Sequence, residues 1–108
     1  MSVVNINKEL FKQQVEEEKK IVLAEFWAPW CVYCRRIGPA YKKIAGEYSD
    51  KLVIGQVNID EEPELAQENN IEVVPSLILY KDGQAVGSIV APESKGKIEE
   101  FIKEHVEI

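Results

Sequence analysis

Apolar and polar positions run along this chain in two rhythms, short unbroken apolar runs and stretches with apolar residues three and four apart. Ile21-Val22-Leu23-Ala24-Glu25-Phe26-Trp27 is of the first kind, the pattern of a strand covered on both faces. From Cys34 the rhythm changes: Ile37, Tyr41, Ile44, Ala45 and Tyr48 mark one face of a helix. Pro39 falls inside that helix and is expected to kink it, because it removes a backbone donor and crowds the preceding turn. Leu52-Val53-Ile54-Gly55-Gln56-Val57 is a second buried strand. Asp60 is placed to cap the next helix, with Glu61, Glu62 and Pro63 in its first turn and Asn69-Asn70 at its end. Pro75 opens the strand Ser76-Leu77-Ile78-Leu79-Tyr80, and Asp82-Gly83 turns it back into a hairpin partner from Ala85 to Val90. Ser94 caps a last helix with Ile98, Phe101, Ile102 and Val106 on one face. At the front, Val3 to Ile6 reads as an edge strand and about Asn7 through Val15 as a helix. Glu16-Glu17-Glu18-Lys19-Lys20 reads as a solvated helix end or loop.

The resulting order, β-α-β-α-β-α-β-β-α, predicts an α/β protein with a central mixed β-sheet and helices on both faces. At 108 residues, without repeat, low-complexity stretch or linker, the chain is expected to form a single domain over residues 1–108. Thirteen basic against nineteen acidic residues leave a net charge of −6. That balance argues against nucleic acid, whose phosphates need clustered positive charge, and against an anionic membrane surface. The apolar runs are far shorter than the roughly 20 residues of a membrane span. Met1-Ser2-Val3-Val4-Asn5-Ile6 lacks the basic start, apolar stretch and small-residue cleavage site of a secretory signal, so a cytoplasmic protein is expected.

There are two cysteines, and they stand together: Cys31-Val32-Tyr33-Cys34. Zinc would need four ligands, and beyond this pair the chain offers one distant histidine, His105. No metal is expected. A purely structural disulfide would close a very small loop, remove little entropy from the unfolded chain, and be reduced in the cytoplasm. A redox couple fits the context better. The strand at Ile21 to Trp27 leads through a short loop into the helix, which places Cys31 beyond the carboxyl end of a central strand, where open α/β sheets carry their sites. Unpaired backbone N–H groups and the helix dipole there favour the Cys31 thiolate. Cys34 lies one turn deeper on the same side, placed to resolve a mixed disulfide formed on Cys31. Arg35 and Arg36 add positive charge nearby, or simply form a solvated helix face.

Glu25 needs an explanation, because a carboxylate in a doubly covered strand is costly unless neutral or paired. Either it faces water or a lysine, or it is a buried acid below the cysteines that exchanges a proton with Cys34. Trp27 reads as core packing, Trp30 as the rim of a contact surface, Pro75 as a strand-opening proline, and His105 as a surface residue without a role.

Phe26-Trp27-Ala28-Pro29-Trp30-Cys31-Val32-Tyr33-Cys34 resembles the active-site segment of the thioredoxin family. Pro39 matches its helix-kinking proline, and Asn58-Ile59-Asp60, Val74-Pro75-Ser76 and Lys81-Asp82-Gly83 follow at family-like spacing, so the resemblance covers essentially the whole chain. It implies a thioredoxin fold, a central mixed sheet flanked by four helices. It implies thiol-disulfide exchange on protein substrates without a bound cofactor, with Cys31 as nucleophile, Cys34 as resolving thiol, and a thioredoxin-reductase-type enzyme returning the electrons. A monomer is expected. Under the same resemblance Pro75 is cis beside the disulfide, and Val74 offers its backbone to an extended substrate. Trp30, Val74 and Ala91 match the apolar contact surface, and Glu25 stands where the family has a buried aspartate.

The departures are specific. Val32-Tyr33 replaces Gly-Pro between the cysteines, Tyr33 resembles glutaredoxins, Gln56 replaces a lysine beside the acid, and Ala91 replaces a glycine. The motif pair therefore keeps two alternatives to a general disulfide reductase: an oxidant, isomerase-like or glutaredoxin-like carrier, and a docking subunit whose redox state gates binding.

Overall fold

A computed structural model describes residues 3–107, so Met1, Ser2 and Ile108 of the expected 1–108 domain lie outside it. A short strand β1 (Val4–Asn5) leads to helix α1 (Lys8–Phe11), which widens into a π-helical segment over Lys12–Glu17. Strand β2 (Val22–Trp27), helix α2 (Val32–Tyr48), strand β3 (Val53–Asn58) and helix α3 (Pro63–Glu68) follow. Strands β4 (Ser76–Lys81) and β5 (Gln84–Val90) and helix α4 (Lys95–His105) complete the order. The strands form one mixed sheet in the order β1-β3-β2-β4-β5. β2 runs parallel to β3 on one side and antiparallel to β4 on the other, which makes it the central strand.

That position explains its unbroken apolar pattern. Side chains alternate across a strand, so a strand with both faces covered must be apolar at successive positions. Val22, Ala24 and Phe26 join Phe11, Val15 and Leu65 in the core under α1 and α3. Leu23 points the other way, into a core shared with Ile37, Tyr41 and Ile44 of α2 and Ile98, Phe101 and Ile102 of α4. By the same alternation Glu25 lies on the face with Leu23, toward α2. Leu52 and Val106 fall just outside regular elements yet are 5% exposed, as the apolar pattern requires.

The local signals place most boundaries. Asn7 caps α1 by accepting the Leu10 N–H at 2.8 Å, and Ser94 caps α4 by accepting that of Lys97 at 3.2 Å. Asn70 adopts a left-handed conformation (φ 57°) just after α3, and the Asp82-Gly83 turn has positive φ at both residues (56° and 82°). Asp60 does not cap α3. Glu62 occupies the cap position without a side-chain bond, because Glu61 and Glu62 both intervene between Asp60 and Pro63, where the helix starts. His105 is not a bare surface residue either. Its ring packs edge-on to Phe101 with centroids 5.0 Å apart, and its Nδ1 lies 3.0 Å from the Phe101 carbonyl. A Cβ added at Gly87 of β5 would meet its Nε2 at 2.5 Å, so the histidine covers the glycine. Among the described residues no helix is long and apolar enough to cross a membrane.

Candidate active site

β2 delivers the chain to the carboxyl end of the sheet, where the Trp27 carbonyl accepts the Ile59 N–H at 2.9 Å and Ala28 is fully buried. The Cys31 N–H donates to the Ala28 carbonyl at 3.1 Å and tightens the connecting loop. Cys31 is the N-cap of α2, in extended conformation (φ −86°, ψ 110°), and its Sγ accepts the Cys34 N–H at 3.1 Å. A sulfur in that position takes the part usually played by a capping oxygen, receiving one of the helix's unpaired donors at the positive end of its dipole. The two cysteines are joined as a disulfide, their Cα atoms 5.3 Å apart. They pack with Ala28 in a small apolar cluster bordered by Trp27, Tyr33, Ile59 and Val74.

Loops from the far side of the sheet close over this cluster. The Val74 carbonyl lies 3.8 Å from Cys31 Sγ, and the Val74-Pro75 peptide is cis. The Pro75 carbonyl accepts the Ala91 N–H at 2.9 Å, which ties the start of β4 to the end of β5. Ala91 itself is left-handed (φ 46°). Trp30 is 64% exposed, Val32 59%, Val73 53% and Val90 56%, so the disulfide emerges among apolar side chains left open to solvent. The Trp30 indole N–H donates to Asp60 Oδ1 at 3.2 Å. Arg35 and Arg36 are exposed, as a solvated helix face would be.

Glu25 is 3% exposed on the central strand, so the water-facing alternative falls. Among the described residues it has no ion pair, and its Oε2 has no hydrogen-bond partner. Its neighbour in register, Gln56, spends its side-chain N–H₂ on Asn5 Oδ1 at 2.9 Å. Burial therefore acts unopposed and pushes the Glu25 carboxyl up to about 7 from an ordinary 4.5. Beside it the buried Tyr41 hydroxyl donates toward the Gly55 carbonyl at 2.6 Å, with the Leu23 carbonyl at 3.1 Å. Burial, and then the charge on Glu25, hold that phenol well above its usual range. Glu25 reaches solvent through a cleft of about 440 Å³ shared with Val3, Asn5, Gly38, Tyr41, Lys42 and Gln56. Gly38 lies one helical turn past Cys34, so the acid sits along α2 from the disulfide, outside the apolar cluster that holds the sulfurs.

The structure thus gathers Cys31, Cys34, Trp30, Val74, Pro75 and Ala91 around one mouth and sets Glu25 behind it. Two participants carry no local signal. The Tyr33 hydroxyl donates to the Pro92 carbonyl at 2.9 Å across 59 positions of sequence, and Asp60 meets Trp30 across 30. Among the described residues no group of three or more His, Cys, Asp or Glu is placed to hold a metal ion.

A buried cysteine pair whose first sulfur caps a helix at the carboxyl end of a mixed sheet defines the class: proteins that exchange dithiols for disulfides. The Thioredoxin family model matches residues 2–104. A thioredoxin of the bacterium Buchnera aphidicola (subspecies Baizongia pistaciae) is 38% identical over 100 residues, 93% of this chain and 92% of its own. Thioredoxin 1 of Synechococcus elongatus is 40% identical over 96 residues, covering 89% of this chain and 90% of the relative. The crystal structure of Malassezia sympodialis thioredoxin (Mala s 13) superposes with a TM-score of 0.85 at 36% identity, covering 96% of this chain and 90% of that one. The chain belongs to the thioredoxin family, and it is a thiol-disulfide oxidoreductase.

Proposed function

We propose that this protein reduces disulfides in other proteins, with Cys31 as the attacking thiol and Cys34 as the resolving one. The observation that carries the assignment is the Cys34 N–H directed at Cys31 Sγ from the first turn of α2. That bond and the helix dipole stabilise negative charge on Cys31 in the reduced protein. The Cys31 thiolate attacks one substrate sulfur, the substrate disulfide breaks, and its other sulfur leaves as a thiolate. Cys34, losing its proton, then attacks Cys31 Sγ, which releases the second substrate thiolate and forms the Cys31–Cys34 disulfide. Two electrons from a thioredoxin-reductase-type enzyme restore the dithiol.

Glu25 takes the Cys34 proton, a role supported by its near-neutral pKa and its unpartnered oxygen. Trp30, Val74, Pro75 and Ala91 form the surface on which an extended substrate segment rests. The chemistry calls for no metal or cofactor beyond the cysteine couple. We place the protein in the cytoplasm as a monomer, acting as one domain over residues 1–108, with disulfide-bearing proteins and a reductase as partners and neither nucleic acid nor membrane.

Cys34→Ser tests the assignment. With the resolving thiol gone, the reduced variant should accumulate a mixed disulfide on Cys31 when mixed with insulin, visible by mass spectrometry. Absence of any adduct refutes it. Glu25→Ala should slow the second step more than the first in stopped-flow traces, and equal slowing removes Glu25 from the mechanism. The reduction potential separates this reading from an oxidant or isomerase: about −270 mV supports the reductase, and about −180 mV supports the others. A double Cys→Ser variant that keeps full function would leave only a docking role.

A further inference from the structure

We propose that Tyr33, the residue just before Cys34, is a positioning residue that sets the protein's preference for protein disulfides over small ones. Its hydroxyl donates to the Pro92 carbonyl at 2.9 Å and so fastens the Ala91-Pro92 corner to the cysteine motif. This rests on the reading that Trp30, Val74, Pro75 and Ala91 receive the substrate.

The corner needs fastening. β5 ends at Val90, and Ala91 follows in a left-handed conformation that costs a residue with a Cβ about 1 kcal/mol or more. Pro92 has no N–H to contribute. Two bonds hold the corner from the site side: the Ala91 N–H to the Pro75 carbonyl, and the Pro92 carbonyl to Tyr33. Behind it, between β5 and α4, lies an open groove lined by Ile89, Val90, Ala91, Lys97 and Phe101. Ala91 is half-buried beside that groove and Pro92 is buried, so packing and the two bonds hold the corner together.

Two bonds and one contact form a closed circuit. Cys31 Sγ lies against the Val74 carbonyl, Pro75 is bonded to Ala91, and Pro92 is bonded to Tyr33, which sits between the two cysteines. Tyr33 packs at the edge of the apolar cluster around the disulfide, so its ring direction is set by the same residues it serves. The position of the Ala91-Pro92 corner relative to the cysteine motif, which a bound polypeptide must span and a small disulfide need not, therefore depends on the Tyr33 hydroxyl. No sulfur chemistry passes through it.

Tyr33→Phe keeps the ring and removes only the hydroxyl. We expect its KM for insulin to rise about three- to tenfold, the factor one hydrogen bond supplies, with kcat within about twofold. The rate with 5,5′-dithiobis(2-nitrobenzoate) and the thiol-disulfide equilibrium with glutathione should stay at the parent values, while the Ala91 amide exchanges with solvent faster. An unchanged thermal midpoint certifies the fold. Trp30→Ala is measured alongside. If it raises KM for insulin while Tyr33→Phe leaves both KM and Ala91 exchange unchanged, the contact surface stands and the role of Tyr33 is overturned. If neither variant raises KM, the contact surface itself is wrong and this inference falls with it. A shifted glutathione equilibrium, with both substrates slowed alike, would place Tyr33 in the sulfur chemistry and overturn the proposal.

Discussion

Glu25 illustrates how one side chain answers to the strand that carries it. Its carboxyl is flanked by apolar neighbours, and the amide across from it is engaged with Asn5, so ionisation goes uncompensated. In the unfolded chain the group ionises near 4.5, whereas the folded protein holds the proton up to about 7. The folded state therefore binds the proton more tightly, and stability falls as pH climbs from 4.5 to about 7, the full penalty applying above that. At about 1.4 kcal/mol per unit the penalty is on the order of 3 kcal/mol. Glu25→Gln should flatten that slope between pH 5 and 8 in urea titrations and be the more stable protein at pH 8. A variant that keeps the parent slope would locate the titration elsewhere. That Glu25 is out of place in an apolar run is plain in the sequence. Which way it points, and that Gln56 is committed to Asn5, depends on the pairing of three strands.

Helices and turns divide according to where their stabilising groups come from. The Ser94 cap and the Asp82-Gly83 turn draw on residues no more than three apart, so propensity and position agree. Ser94→Ala should cost about 1 kcal/mol by loss of the cap, read as a lower denaturation midpoint. Gly83→Ala, forced to φ 82°, should cost a similar 1 kcal/mol or so. A measured loss below a few tenths in either would show that the element is held by packing instead. The start of α3 shows the limit of local reading. Asp60 is a good cap by type, but the helix starts at Pro63 with Glu62 in the cap position, and the Asp60 carboxylate accepts the Trp30 indole N–H from another loop instead. The α2–α4 contact is likewise non-local: Tyr48 donates to Glu99 at 2.7 Å, and Lys95 reaches Glu47 at 2.8 Å. Hydrogen bonding to the Glu99 carboxylate holds the Tyr48 phenol above its usual range.

The molecule as a unit is a five-stranded sheet with an apolar core on each face, and its stability lies in those two layers. Ile44→Ala, at a fully buried position of α2, should lower unfolding stability by about 2–5 kcal/mol while the folded variant still exchanges disulfides at the parent rate. A loss of rate in the folded state would mean that the core also tunes the site. Periodicity carried the element order, the two-faced sheet and the place of the cysteine pair beyond β2, because burial on one or two faces leaves a repeat of its own in the chain. The family motifs carried the chemistry, because Cys31 and Cys34 are three residues apart and their helix cap is local. Bonds between loops carry no repeat. Tyr33 to Pro92, Trp30 to Asp60, Pro75 to Ala91 and the seating of His105 over Gly87 join residues that are neighbours only after the strands pair. Short-range order writes itself into sequence as pattern, whereas the width of the mouth around Cys31 and the acidity of Glu25 arise from contacts whose partners the pattern leaves unspecified.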